Sequence, residues 1–570
     1  MNFNTLHRRF GKVDISTKLL WILCIAAAAL KIVLCSFQYM YASPELSPID
    51  DTLMVNLAQS ITAGNWLGEY NWLTMSKHSF FALWLAFLNA IHLNVLVGGQ
   101  LLFAGACFVM LAALKPALKT NLARLFVFGI TLFTPATWAE SSLRIYRDNI
   151  YPALLLYILA AFVGSFLRYK EAPRKVVFYY IVAGLAMGAA WLTHEDNALL
   201  LPFILCAAIV YFIFVFSARQ PRRDKIAKAG LFLVPFLLWG ACLAAWSGMN
   251  YHHYGRFIVS DFTSPEFNNA MGAFARVCPE DQQRYNLIPY STRMKLYDVS
   301  PTFATLQPYL ENDEIYNGYG SVETKELNSG GVHWAIRKAA GNAGYYADAK
   351  TAEQFYSKVA DEVNQACDEG LVPAGRKRSG IFAPFKPEYL MPTVGKFFDE
   401  ARVFMLFEQT RPTALLSIAT PEQSENWESY LHCTSTKAAV ENTNTAYFPP
   451  LHTMAYTLLN VCTWVQRVVV WPMLAMSFWW LARKIGSFFK GVKKKTLPED
   501  TLASILMLGV FLTGILRMAA IAYLMGVTLG FDIYLMYLNA ACAPLLWFIA
   551  YGSAKWVEEK FDAAPPAHTV

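Results

Sequence analysis

Apolar runs of about 20 residues, enough for a helix to cross the hydrocarbon core of a bilayer, recur from one end of the chain to the other. The first covers 18–40. A polar stretch and a short apolar helix at 80–91 come next, then runs at 95–114, 122–138, 150–167, 176–192, 198–216 and 231–247. Residues 250–451 interrupt the series with a mixed polar and apolar pattern, and runs at 454–481, 502–525 and 533–551 close it. The pattern predicts a polytopic α-helical membrane protein with about ten crossings plus one short juxtamembrane or re-entrant helix. Three segments follow: a transmembrane module at 1–249, a soluble domain at 250–451 and C-terminal transmembrane helices with a tail at 452–570. The middle segment has the size of a full domain. It alternates helical runs, such as 351–367, with turns rich in Pro and Gly, so an α+β or mainly helical fold is expected there.

Composition agrees with this pattern and adds an orientation. Of 570 residues, 55% are hydrophobic and only 16% charged, where a soluble chain carries about a quarter charged. The formal net charge of +7 does not indicate nucleic-acid binding, because the basic residues crowd into short loops between spans. These are the N-terminus, Lys115/Lys119/Arg124, 168–175, 219–228 and 483–495. The positive-inside rule makes those loops cytoplasmic. Both termini are then inside, and loops 43–79, 139–149 and 193–197, with the whole of 250–451, face the other side. Arg8, Arg9 and Lys12 before the first long run read as an uncleaved anchor rather than a signal peptide. The 10 cysteines follow no metal-ligand spacing. Cys278, Cys367 and Cys433 share the soluble region, where at most one disulfide can form.

Ionisable residues collect in the three short external loops. Loop 43–79 opens with adjacent carboxylates, Asp50 and Asp51. An amphipathic segment with Leu53, Leu57 and Ile61 on one face comes next, then a Gly-Asn-Trp-Leu-Gly turn and a lone Lys77 followed by His78. The second loop, AESSLRIYRDN, carries Glu140, Arg144, Arg147 and Asp148, and the third, LTHEDN, carries His194, Glu195 and Asp196. Each group also has a plain structural explanation. Ser47-Pro48 before two acids is how a helix begins. Arg147–Asp148 suits an ion pair of neighbours, LTHEDN a polar turn, and Lys77 a snorkelling anchor.

Their conjunction carries more. Arg144, Arg147 and Lys77 are almost the only cations in the short external loops, against the topological trend. A phosphate group would explain them, since a guanidinium matches phosphate oxygens and an ammonium supplies a point charge. A carboxylate beside such cations can take the proton of an attacking hydroxyl, while the cations stabilise charge on a departing phosphate. Lys31, Arg467 and Arg517 lie within apolar runs, where charge is costly and faces an interior cavity. Arg467 and Arg517 suit the lining of a groove for a phosphate, or structural pairing.

On these residues the chain resembles GT-C-type integral membrane glycosyltransferases, the polytopic class that takes sugars from polyprenyl-phosphate donors on the outer face of a membrane. Asp50-Asp51 after the first span, then Gly64-Asn65-Trp66 and Lys77 before an apolar helix, match the class pattern. The pattern is shared with the protein mannosyltransferases and the lipid A aminoarabinose transferases. Asp148 matches the second external acid, and WLTHEDN resembles the bacterial W-L-T-R-E-[DE] loop with His194 in place of Arg. The resemblance covers roughly the first 250 residues; the region 250–451 resembles no named module.

The resemblance implies Asp50 as catalytic base with Asp51 its partner. It implies Asp148 orienting the acceptor or sharing the base role, and Lys77 with Arg144 or Arg147 on the donor phosphate. His78, His194, Glu195 and Asp196 complete the substrate-binding set. Inversion at the anomeric carbon is implied and no metal is required. A divalent metal is the alternative, with Asp50, Asp51, Asp148, Glu195 and Asp196 as oxygen ligands, as in the oligosaccharyltransferase-like members.

The expected partners are a polyprenyl-phosphate sugar donor, membrane lipid, and a glycan, glycolipid or protein acceptor. The expected setting is the bacterial inner membrane. Two other classes compete. An O-antigen ligase or polysaccharide polymerase would hold its key Arg and His in the large loop and would not need Asp50-Asp51. A lipid-linked sugar transporter would show internal repeats or matching broken helices in two halves, and the sequence has neither.

Overall fold

The computed structural model describes residues 14–380, 383–438, 446–493 and 500–562. Arg8, Arg9, Lys12 and the end of the 483–495 basic cluster lie outside them. Among the described residues seven helices are long and apolar enough to span a membrane: Thr17–Ser36, Val95–Ala113, Glu195–Ser217, Arg222–Tyr254, Pro450–Gly491, Thr501–Leu529 and Leu535–Lys560. This makes the chain an integral membrane protein. An eighth candidate is the pair Asn121–Leu132 and Pro135–Leu143, bent by 45°.

The expected count of about ten differs for local reasons. The run at 122–138 stops at Leu132 because Pro135 removes a donor and restricts Thr134 before it, and the chain continues in short 3-10 turns. Tyr151–Leu167 is an apolar helix of only 17 residues. Arg174–Trp191 spends its first turn on Arg174 and Lys175.

Helix starts follow their capping residues. Ser16, Asn94 and Thr120 accept backbone N–H groups at the starts of Thr17–Ser36, Val95–Ala113 and Asn121–Leu132, which satisfies donors that a helix end leaves orphaned. The bundle has a distinct interior. The apolar window of Leu535–Lys560 is 94% buried inside the protein, whereas that of Arg222–Tyr254 is only 11% buried. The first is therefore a central post and the second an outward-facing helix. Tyr151–Leu167 also packs in the middle, against Val95–Ala113 and Arg174–Trp191.

The long insert is mainly helical, with a single two-residue antiparallel pairing among its described residues, of Gly320–Ser321 with Glu326–Leu327. It has its own hydrophobic core, built from residues such as Phe267, Phe274, Leu296, Phe303, Ile336, Phe355 and Val363. That core draws on 267–372, while Val403, Phe404, Trp427, Leu431 and Cys433 bury themselves in the core of the bundle. The segment expected as one domain at 250–451 is thus divided between two cores. Cys278, Cys367 and Cys433 are free, buried thiols.

Arg337 fastens the insert to the first loop. Its guanidinium is fully buried, donates to the Trp72 carbonyl from Nε at 3.1 Å and Nη2 at 2.5 Å, and lies 2.9 Å from the Asp261 carboxylate. The Asp261 N–H in turn donates to the Met75 carbonyl at 3.0 Å.

Candidate active site

The helix after the first span starts at Asp51 and runs to Thr62. Asp50 occupies the position before it but makes no side-chain cap bond, so its carboxylate is not spent on capping the helix. Leu53 and Leu57 bury one face of this helix, with Ile61 partly buried beside them. Gly64 and Gly68 then turn the chain at φ +83° and +85°, a region that glycine enters without steric cost. The turn seats Trp66, whose indole N–H donates to Asn250 Oδ1 at 2.9 Å. From there the chain returns along Trp72 and Met75 to Lys77.

Lys77 is 7% exposed and forms an ion pair with Asp50 Oδ1; Asp50 is 34% exposed. Burial alone would raise the Asp50 pKa, but the Lys77 charge and hydrogen bond, with Arg144 and Arg147 behind them, hold it below the ordinary carboxylate value. Asp51 behaves oppositely. It is fully buried, and burial raises its pKa against the pull of Arg144, which holds it in a fork: Nε to Oδ2 at 3.1 Å and Nη2 to Oδ1 at 2.7 Å. The Nη2 atom also lies 3.9 Å from Asp50 Oδ2. The two acids therefore differ in kind. Asp50 is ionised and reachable; Asp51 is a buried anchor.

The second loop enters between the bends that follow Pro135. Asn149 pins it by donating to the carbonyls of Ser142 and Arg144 at 2.9 and 3.3 Å. That placement needs Gly99 on the facing helix, where a Cβ would lie 2.6 Å from Asn149 Oδ1. The Tyr146 hydroxyl joins two cations: Lys77 Nζ donates to it at 3.0 Å and Arg147 Nε at 3.1 Å. Arg147 does not pair with its neighbour Asp148. Its Nη1 reaches Glu195 in the third loop at 2.7 Å and the Thr193 carbonyl at 3.2 Å. Asp148 is buried, has no ion pair among the described residues, and faces the charges of His194, Arg147 and Arg517. Burial raises its pKa, with its three neighbours opposing.

The third loop supplies the far wall. Asp196 receives Arg517 Nη1 on Oδ2 at 2.6 Å and the Tyr151 hydroxyl on Oδ1 at 2.9 Å, and His194 Nδ1 also lies 2.9 Å from Oδ1. The His194 ring stacks on Tyr151 with centroids 4.7 Å apart. His78 sits below, with Nδ1 2.6 Å from the Trp191 carbonyl. Burial lowers its pKa, Glu195 opposing. In the neutral ring Nδ1 carries the proton, because a carbonyl only accepts.

Asp50, Asp51, Lys77, His78, Arg144, Arg147, His194, Glu195 and Asp196 therefore fall in one connected set with Asp148 buried beside them, whereas among the described residues the Glu140 carboxylate makes no contact with it. Of the in-span charges, Arg517 joins it through Asp196. Arg467 instead donates to the Phe407 carbonyl at 2.9 Å over Trp464, and Lys31 donates to Thr137 at 2.8 Å over Phe103. Four of the five carboxylates expected as alternative metal ligands pair with four different cations, Asp50 with Lys77, Asp51 with Arg144, Glu195 with Arg147 and Asp196 with Arg517, and Asp148 has no ion pair among the described residues. Among the described residues no group of three or more His, Cys, Asp or Glu is arranged to hold a metal ion.

Sequence reasoning passed over several members. Tyr146, Tyr151, Tyr534 and Tyr537 stand in or beside apolar runs, where an aromatic looks like core. Tyr537 lies within electrostatic reach of Asp50, Asp148, Tyr146 and Lys77. The insert contributes Trp334, with Lys77 Nζ 5.4 Å from its ring centroid, and Thr263, 3.4 Å from His78 Nε2.

Among solved structures the chain is similar to ArnT from Cupriavidus metallidurans in the apo state, at 13% identity and a TM-score of 0.30, covering 95% of this chain and 78% of that one. It is similar also to that protein bound to undecaprenyl phosphate, at 11% identity and a TM-score of 0.29, covering 94% of this chain and 78% of that one. No family model and no curated protein matches the chain.

Proposed function

We propose that this protein is a GT-C-type glycosyltransferase that moves a sugar from a polyprenyl-phosphate donor to an acceptor hydroxyl. The observation that carries the reading is the arrangement around Asp50: a reachable, ionised carboxylate in contact with Lys77, which is joined through the Tyr146 hydroxyl to Arg147. An apolar helix, Phe80–Ala90, starts just after Lys77. Cations at the edge of apolar surface suit a phosphate whose hydrocarbon tail stays in lipid.

Lys77 has three N–H donors and uses two, on Asp50 and Tyr146, so a third is free for a phosphate oxygen. In the step, an acceptor oxygen attacks the anomeric carbon while its proton passes to Asp50. The bond from the anomeric carbon to the phosphate oxygen breaks, its electrons stay on the phosphate, and Lys77 and Arg147 offset the added charge. Attack opposite the departing phosphate inverts the anomeric centre. His78, neutral and fixed to Trp191, keeps the Lys77 backbone in place, and Asp148 with Glu195 balances Arg147. No step requires a metal. The sites face the outer side of a bacterial inner membrane, with the termini cytoplasmic.

The test is purified protein in lipid nanodiscs with a panel of polyprenyl-phosphate sugars, scored by release of polyprenyl phosphate. Turnover with one donor and its loss in Asp50→Asn is the expected result. Full activity in Asp50→Asn would remove the basis of the proposal.

A further inference from the structure

Asp50 has two sides. Its Oδ1 faces Lys77, and its Oδ2 faces Arg144 Nη2 at 3.9 Å. Against Arg144 lies a cavity of about 220 Å³ whose polar walls are Tyr41, Ser43, Ser47, Glu140, Arg144 and Tyr534, with neither Lys77 nor Asp50 in its lining. At roughly 30 Å³ per water in the liquid, it has room for about seven waters, the scale of one sugar ring rather than a chain.

The lining comes from loop residues at 41–47, from Glu140 and Arg144 of the second loop, from Leu415 of the insert and from Tyr534. Ser47 Oγ lies 3.3 Å from Ser43 Oγ and 3.5 Å from Arg144 Nη2, so hydroxyls line the path from the cavity to the guanidinium. The Glu140 carboxylate has no hydrogen bond among the described residues; only its backbone N–H is used, on the Arg411 carbonyl at 2.7 Å. Two leucines complete the wall, Leu46 at 64% exposure and Leu415 at 49%. Hydroxyl donors and acceptors, a carboxylate without a hydrogen bond and the Arg144 N–H groups not spent on Asp51, beside small apolar patches, suit a ring whose edge is hydroxylated and whose faces carry C–H bonds. A phosphate would meet Glu140 as a like charge, and a hydrocarbon tail would leave the hydroxyls and the carboxylate unpaired.

We infer that this cavity seats the acceptor, a saccharide ring, and delivers one of its hydroxyls past Arg144 to Asp50 Oδ2. The inference rests on the glycosyltransferase reading for the direction of transfer. It narrows the acceptor from a glycan, glycolipid or protein side chain to a sugar. The donor and acceptor then occupy opposite sides of one carboxylate. The acceptor proton goes to Oδ2, the new bond forms between the acceptor oxygen and the anomeric carbon, and the phosphate leaves on the Lys77 side.

Saturation-transfer NMR on the protein in nanodiscs, with a panel of methyl glycosides as probes, tests this directly. Wild type and Asp50→Asn should give saturable signals from at least one glycoside. Leu415→Trp and Leu46→Trp, both at exposed positions that tolerate folding, should each reduce it at least fivefold. With that glycoside as acceptor, both variants should raise its KM at least tenfold and change the donor KM less than twofold. No signal from any glycoside, or a signal that survives in both variants, overturns the inference. So does a rise in the donor KM instead, which would give the cavity to the donor. A saturable, Leu415→Trp-sensitive signal with no release of polyprenyl phosphate from any donor would uphold the saccharide site and sink the transferase reading alone.

Discussion

Arg144 grips Asp51 through two parallel contacts, 3.1 and 2.7 Å long, around a carboxylate with no exposed surface. Removing one member of such a pair leaves the other charged and unsolvated, at a cost of about 3–5 kcal/mol. Asp51→Asn should therefore lower thermal stability and activity together. Asp50→Asn, at a site 34% exposed, should lose turnover by more than a hundredfold with a smaller fall in the thermal midpoint, because Lys77 keeps its bond to the Tyr146 hydroxyl. Thermal unfolding in detergent alongside the transfer assay separates the two. Equal destabilisation by both variants would contradict the division between anchor and base.

The pH profile distinguishes the acids a second time. Burial would lift the Asp50 pKa, but Lys77, Arg144 and Arg147 hold it below 3.8, whereas burial holds Asp51 and Asp148 above that value. A base works only when deprotonated, so activity with Asp50 as base persists as pH falls until it passes through that depressed value. The acidic limb of kcat/KM should lie below the ordinary carboxylate range. A limb above it would assign the proton to Asp51 or Asp148.

Tyr146 gives a sharper probe of phosphate binding than either cation. Its hydroxyl receives Lys77 and Arg147 together, so Tyr146→Phe keeps the ring and frees both cations to drift. The KM for the polyprenyl-phosphate donor should rise about tenfold, equivalent to ~1.4 kcal/mol, with kcat reduced less. A change confined to the acceptor KM would place the phosphate elsewhere.

Glu400, on the Leu390–Leu406 helix, is fully buried, and neither of its carboxyl oxygens has a hydrogen-bond partner among the described residues. Burial pushes its pKa from 4.5 up to about 9, with Arg517 opposing. Because the folded value lies above the unfolded one, the stability this group contributes is complete below about 4.5 and is lost as pH rises towards 9. Glu400→Gln should raise the thermal midpoint by several degrees at pH 8 and hardly move it at pH 5. A pH-independent effect would argue against a buried neutral acid.

The loops that carry chemistry were legible because ionisable residues are rare in this chain and charge in a short external loop needs a reason. Asp50, Lys77, Arg147 and Glu195 could be named from type and topology. Their pairing could not, since Arg147 and Glu195 meet across a whole pair of helices while Asp148, one residue away, takes another role. Tyrosines are ambiguous in apolar sequence, which hid Tyr146 and Tyr151. Trp334 was hidden by distance: nothing near it in the chain announces that the insert folds back over Lys77. The bend at Pro135 was not legible either, because hydropathy reads the run 122–138 as continuous.

Arg337 has a consequence for how a substrate gets in. By holding the Trp72 carbonyl, with Asp261 clasping Met75 nearby, it rivets the strip of chain before Lys77 to the insert above. Lifting the insert like a lid would drag Lys77 off Asp50 and dismantle the very contact the chemistry uses. On the glycosyltransferase reading, a donor therefore reaches Lys77 with the insert still seated above it.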